Sequence, residues 1–99
     1  PHLSAFVRYN RKMFYVYLIQ SQKNSRVYTG YTTDLKQRFT DHNSGKSPYT
    51  KHNRPYRLVY YEAYTSKSDA QKREQNLKLR SKAYGQLRNR IDGSLNHES

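Results

Sequence analysis

A few residues in this chain have the types and spacing to do chemistry. Glu74 has Ala70 four residues before it and Leu77 three after, which places it on the inward face of a helix. An unpaired carboxylate on such a face is costly to bury, so Glu74 needs a cation, which could be Arg, Lys or a metal ion. Arg38 and His42 lie one helical turn apart. The five fixed donors of a guanidinium suit phosphate oxygens, and an imidazole beside it can position or deprotonate a water near neutral pH. Tyr15 and Tyr17 share one side of a strand, and Tyr28 lies across a hairpin from them. A phenol near cationic groups can have its pKa lowered, and Gly30 leaves room for a backbone or a phosphate to approach. Each feature also has an ordinary structural meaning: a salt bridge for Glu74, a solvated basic face for Arg38 and His42, core packing for the tyrosines.

The elements that must position these groups can be read from pattern. Met13 to Ile19 is a β-branched and aromatic run, closed by polar Ser21 to Ser25, and its continuity fits a strand covered on both faces. Arg26 to Tyr31 follows so closely that it must return antiparallel. Thr32, Thr33 and Asp34 offer helix caps and Gly45 a stop, which brackets a helix over 35–44 carrying Leu35, Arg38, Phe39 and His42 on one stripe. The segment from Lys46 to Pro55 has no periodicity and reads as a basic loop, followed by a third strand over 56–64. Ser68 and Gln71 have the spacing of a capping box, so a helix should run from there to about Leu79, with a last helix from Ser81 through Ile91. The expectation is an α+β fold, a small three-stranded antiparallel sheet flanked by about three helices, spanning residues 13–91. A flexible basic arm over 1–12 and a polar tail over 92–99 would flank it.

The whole chain has 99 residues, 19 Lys and Arg, 7 Asp and Glu, and a net charge of +12. That length excludes a two-domain enzyme with a deep interdomain cleft. Without cysteine there are no disulfides, thiolate nucleophiles or Cys-based metal sites. No apolar run approaches the ~20 residues that a spanning helix needs, so no membrane crossing is expected. The charge points to a polyanionic partner, nucleic acid first. The 11 tyrosines and 3 phenylalanines can build an aromatic core for so small a domain. The seven carboxylates form no DxD or DxE pair, which argues against sites built on clustered acids.

Taken together, these residues resemble the GIY-YIG nuclease superfamily, most closely its small stand-alone bacterial members. Tyr15-Val16-Tyr17 stands at the first motif and Tyr28-Thr29-Gly30 at the second. Arg38 follows Tyr28 by ten residues, His42 follows Arg38 by four, and Glu74 lies in a later helix. The stretch Asn43 to Lys46 and the strand Leu58-Val59-Tyr60 fit as well. The pattern departs from the family at Tyr15, where Gly is usual, and at Thr29, where Ile is usual.

The resemblance implies a phosphodiesterase with one Mg²⁺ or Mn²⁺ ion, acting as an endonuclease on nucleic acid, DNA rather than RNA. Glu74 would be the metal ligand, and Tyr28 or Tyr17 the general base, with His42 as a second candidate or proton relay. Arg38 would stabilise the phosphorane. Lys46, Lys51, His52 and Arg54 in the loop, with Lys72, Arg73 and Lys78 on the Glu74 helix, would track the nucleic-acid backbone. Asn89 is an additional candidate near the metal. The reading implies a cytoplasmic monomer whose cleavage is structure-directed or weakly specific, with a protein partner that could supply specificity. The competing readings are a basic module that binds DNA or RNA without cutting it and a structural basic protein of the ribosome-associated kind.

Overall fold

The computed structural model describes residues 12–96. Apart from Lys12, the expected basic arm lies outside the described residues, as do residues 97–99. Strands β1 (Phe14–Ser21), β2 (Val27–Thr32) and β3 (Tyr56–Tyr64) form one antiparallel sheet in the order β2-β1-β3. Helix α1 (Leu35–Ser44) follows β2, and a 3₁₀ turn (Lys51–Asn53) interrupts the basic loop. Helices α2 (Lys67–Lys78), α3 (Lys82–Arg90) and the short α4 (Asp92–Leu95) complete the α+β fold.

The continuous apolar run of β1 takes the centre of the sheet and is buried on both faces. Val16 and Leu18 meet Ala70 and Leu77 of α2, together with Tyr84, Leu87, Ile91 and Leu95. Tyr17 and Ile19 point the other way, into a cluster with Tyr56, Leu35, Phe39 and Leu58. The sheet is thus a partition, with α1 and the loop on one side and α2 to α4 on the other. A bulge in β3 shapes the α1 side: Leu18 pairs with Tyr60 but Ile19 pairs with Leu58. One extra residue reverses the alternation, so Leu58 and Tyr61, three apart in sequence, share the α1 face.

The ends of α1 follow the sequence signals. Asp34 accepts from the Gln37 amide, and Gly45 stops the helix at φ 87°. For α2 the expected capping box at Ser68 and Gln71 does not form. Ser66 is the cap, accepting from the Asp69 amide at 3.2 Å, and Ser68 lies inside the first turn. Ser66 leaves the strand with extended backbone, which a cap requires, and starting there still turns both Ala70 and Leu77 inward.

The expected polar tail is also corrected. The chain turns once more after Ile91, and Leu95 is buried in the α2-side core. One apolar residue among polar neighbours has no periodicity to reveal it. Between α2 and α3, Arg80 adopts a left-handed backbone at φ 57°, stacks on Tyr84 with its guanidinium 4.0 Å from the ring centroid, and donates to the Val27 carbonyl of β2 at 2.7 Å. Its partner lies on an edge strand. Leu95→Ala is expected to destabilise the fold by ~2–5 kcal/mol, as for other buried leucines. Urea unfolding checks this, and a cost near zero would restore the tail reading.

Candidate active site

The site is assembled around Tyr17. Its Cα partner on the edge strand is Gly30, and the phenol ring lies across that glycine. A Cβ added at Gly30 would fall 2.2 Å from the Tyr17 hydroxyl and 2.3 Å from Cζ. The glycine expected to admit a phosphate is occupied by the tyrosine ring, and its missing side chain is what lets the hydroxyl reach the β2 edge.

There the Tyr17 hydroxyl is hydrogen-bonded to His42 Nε2 at 2.7 Å, and His42 Nδ1 to Thr50 Oγ1 at 2.7 Å. All three residues are buried. Both nitrogens of His42 are therefore engaged within the fold. The half-buried Tyr28 presents its ring edge-on to the imidazole at 5.5 Å, and Tyr56 closes the other side at 6.3 Å. Burial pushes Tyr17 up to about 12, opposed by the nearby Arg38 guanidinium and reinforced by the Tyr28 phenol and the Glu74 carboxylate. Burial and then Arg38 push His42 down to about 4, against the weaker pull of Asp41. At neutral pH the imidazole is uncharged, with one ring nitrogen donating and the other accepting.

Glu74 comes from α2, across the sheet from α1. Its charge nonetheless acts on Tyr17. The side chain is mostly enclosed, 18% exposed, and pairs with Lys78 Nζ at 3.1 Å. Of the cations open to Glu74 at the sequence level, the structure supplies this lysine. Lys78 is half exposed, and an i,i+4 pair of this kind contributes only ~0.3–0.5 kcal/mol. The half-buried Arg38 makes one long contact, Nη2 to Ser47 Oγ at 3.4 Å, which leaves most of its donors free.

The basic loop is built onto the site. Thr50 anchors it to His42, and Asn43 clamps the start of β3, accepting from the Tyr56 amide at 2.6 Å and donating to its carbonyl at 3.0 Å. Ser21 donates to the Asn53 carbonyl at 2.6 Å. Lys51, His52 and Arg54 are exposed and, with Asn43 and Pro55, line an open recess of about 460 Å³. Arg54 packs over Gly45, where a Cβ would lie 2.7 Å from Nη1.

Lys46 and Lys72 are exposed, and Asn89 is exposed on α3. Arg73 departs from its expected role along a nucleic-acid backbone, because Glu62 holds it: Nε donates to both carboxylate oxygens at 3.0 and 3.1 Å, and Nη2 to Oε2 at 2.8 Å. The Tyr60 and Tyr64 hydroxyls donate to the same carboxylate. Burial pushes Glu62 up, but Arg73 and the two hydroxyls outweigh it and hold the carboxyl below its usual range. Sequence reasoning missed Thr50 and Glu62, and it placed Asn43 in a matching stretch without foreseeing its clamp on Tyr56. Of the two missed, only Glu62 carried a signal, as an acid inside an apolar strand.

The family model for the GIY-YIG catalytic domain matches residues 13–89. The chain belongs to the GIY-YIG family. The family is a nuclease family, and nucleic acid is the partner that such a domain implies. The chain is 48% identical over 69 residues to the UPF0213 protein SH2523 of Staphylococcus haemolyticus, covering 69% of this chain and 83% of that one. It is 43% identical over 70 residues to the UPF0213 protein SpyM50708 of Streptococcus pyogenes, covering 70% and 75%. The solution structure of the UPF0213 protein BH0048 from Bacillus halodurans is 37% identical, with a TM-score of 0.47 over 76% of this chain and 80% of that one. No helix among the described residues is long and apolar enough to cross a membrane. Of the two departures from the GIY-YIG pattern, Thr29 is buried opposite Leu18, with its hydroxyl unpartnered where the family has Ile.

Two outcomes follow from this geometry. The low pKa of His42 contributes stability that is fully present above about pH 6.5 and lost as pH falls toward 4, up to ~3 kcal/mol. Urea melts between pH 7 and pH 4.5 should record that loss in the wild type and a flatter profile in His42→Gln. Gly30→Ala should cost ~1–3 kcal/mol by overpacking. By displacing Tyr17 it should also change the His42 titration measured by NMR; an unchanged titration would show that the phenol had not moved.

Proposed function

We propose that this protein is a divalent-metal-dependent endonuclease that hydrolyses phosphodiesters, with DNA as its substrate. The observation that carries this reading is the convergence of Tyr17, Tyr28, Arg38 and His42 beside Gly30, with Glu74 acting on the Tyr17 phenol from the opposite face of the sheet.

The donor set fits one hard cation. Among the described residues no three His, Cys, Asp or Glu side chains converge, and His42 has no free nitrogen. A single carboxylate, Glu74, suits Mg²⁺ or Mn²⁺, which keep several waters and take their remaining ligands from substrate. The weak pair with Lys78 is easily exchanged for a doubly charged ion. Bound there, the ion supplies charge neutralisation and Lewis-acid polarisation of the phosphate.

The protein groups divide the remaining work. Tyr17 accepts a proton from the attacking water as its own hydroxyl proton passes to His42 Nε2. The imidazolium so formed is held by Nδ1–H donating to Thr50 Oγ1. Tyr28, at the half-buried margin, orients the water. Arg38 donates to the non-bridging oxygens as negative charge builds, worth ~3–4 kcal/mol for a donor of this kind. The water oxygen bonds to phosphorus, the phosphorus–oxygen ester bond breaks, the departing oxygen takes a proton from solvent, and His42 returns its proton to Tyr17 as the Tyr17 hydroxyl releases one to solvent. Lys46, Lys51, His52 and Arg54, with Lys72, hold the flanking phosphates.

The Glu74–Lys78 pair is the observation that favours the other reading, a module that binds nucleic acid without cutting it. Nicking of supercoiled plasmid separates the two. The wild type should nick with Mg²⁺ or Mn²⁺ and stop in EDTA, Arg38→Ala should lose about 10²–10³-fold in rate, and Glu74→Ala should be inactive. Salt-sensitive binding without cleavage would establish the module instead.

A further inference from the structure

The α1 face of the sheet is not fully covered. Beside the N-terminal turn of α1 an open groove of about 470 Å³ is lined by Tyr15, Tyr61, Phe39 and Leu58, with Lys36 and Asp34 at its border. Tyr61 is 53% exposed, an unusual position for a large ring on a sheet face. Its ring stands edge-on to Tyr15, with centroids 6.1 Å apart and planes at 62°, so the two rings form two walls of a corner. Two local features create this corner. Tyr15 occupies the position where the family motif has Gly, and the β3 bulge brings Leu58 and Tyr61 onto the same face.

We propose that this groove is a stacking subsite for an unpaired nucleobase of the substrate. The inference rests on the nuclease reading and deepens it. Three observations select a nucleobase over another apolar occupant. The groove adjoins the candidate site directly, since Tyr61 is the Cα partner of Tyr17 on β3. Lys36 at its border offers a cation for the phosphate that must accompany a base, on a chain of net charge +12. The volume admits a planar base with part of its sugar. A base held in a duplex cannot enter such a corner, so the subsite selects strands with an unpaired nucleotide next to the cleaved bond.

Fluorescence anisotropy in EDTA tests this with two labelled 12-nucleotide strands of equal charge, oligo-dT and its tetrahydrofuran abasic analogue. The wild type should bind oligo-dT about 5–100-fold more tightly, the range that stacking on aromatic rings gives. Tyr61→Ala should lose most of that preference while keeping its affinity for the abasic strand, and Tyr61→Phe should retain it. Tyr61 is exposed, so the fold should survive either change, as matched thermal melts would verify. Equal wild-type affinity for both strands, or a preference unchanged in Tyr61→Ala, overturns the subsite and leaves the nuclease reading intact. Self-association abolished by Tyr61→Ala also overturns it, by making the groove a contact between copies. Failure to bind either strand also overturns the subsite, and plasmid nicking then decides the nuclease reading separately.

Discussion

The hydrogen bond between the Tyr17 hydroxyl and His42 is the interaction on which the rest of the site depends. It joins the central strand to α1, and through Thr50 it joins α1 to the basic loop. All three groups are enclosed, so losing any one of them leaves a buried polar group without its partner. The same enclosure holds the phenol protonated and the imidazole neutral. A pair of this kind keeps its proton on the phenol until outside charge changes its balance. Arg38 provides part of that charge, and a cation held by Glu74 would provide more.

The sheet explains how so short a chain brings these groups together. Tyr17 and Glu74 originate on opposite faces, and a three-stranded sheet would normally keep them apart. Gly30 sits on the edge strand, and the Tyr17 ring crosses it to reach the margin, where groups from the two layers can act on one another. The site is therefore a rim and not an interior pocket, which suits a polymeric substrate that must be gripped along its length.

Much of this was legible in the sequence because it rests on periodicity and spacing. The third strand and α1 have the bounds that their patterns predict, and Tyr17, Tyr28, Arg38 and His42, singled out by their spacing, come together in the fold. The expected core side of α2 is occupied by Ala70 and Leu77, with Glu74 mostly enclosed beside them. What sequence could not reveal was long-range polar partnership. Nothing about Thr50 distinguishes it from other loop residues until the chain has folded back on α1, and nothing about Asn43 in α1 shows that it will clamp Tyr56. Arg73 looked like one more surface cation because its partner, Glu62, is eleven residues away in another element. Gly30 was correctly singled out as a place where a side chain would obstruct, but the obstructed group is a tyrosine of the protein itself.

Arg80 has a consequence beyond the packing of its own turn. An edge strand offers a row of carbonyls and amides to any passing chain, and sheets of this size are exposed to unwanted growth at their margins. By donating to the Val27 carbonyl while its guanidinium lies on Tyr84, Arg80 occupies a position at which a foreign strand would begin to zip on. A newcomer would have to displace a charged group that is already hydrogen-bonded, against the repulsion of two strongly cationic molecules. The β2 edge is thus obstructed at Val27 while the rim stays open to a polyanion.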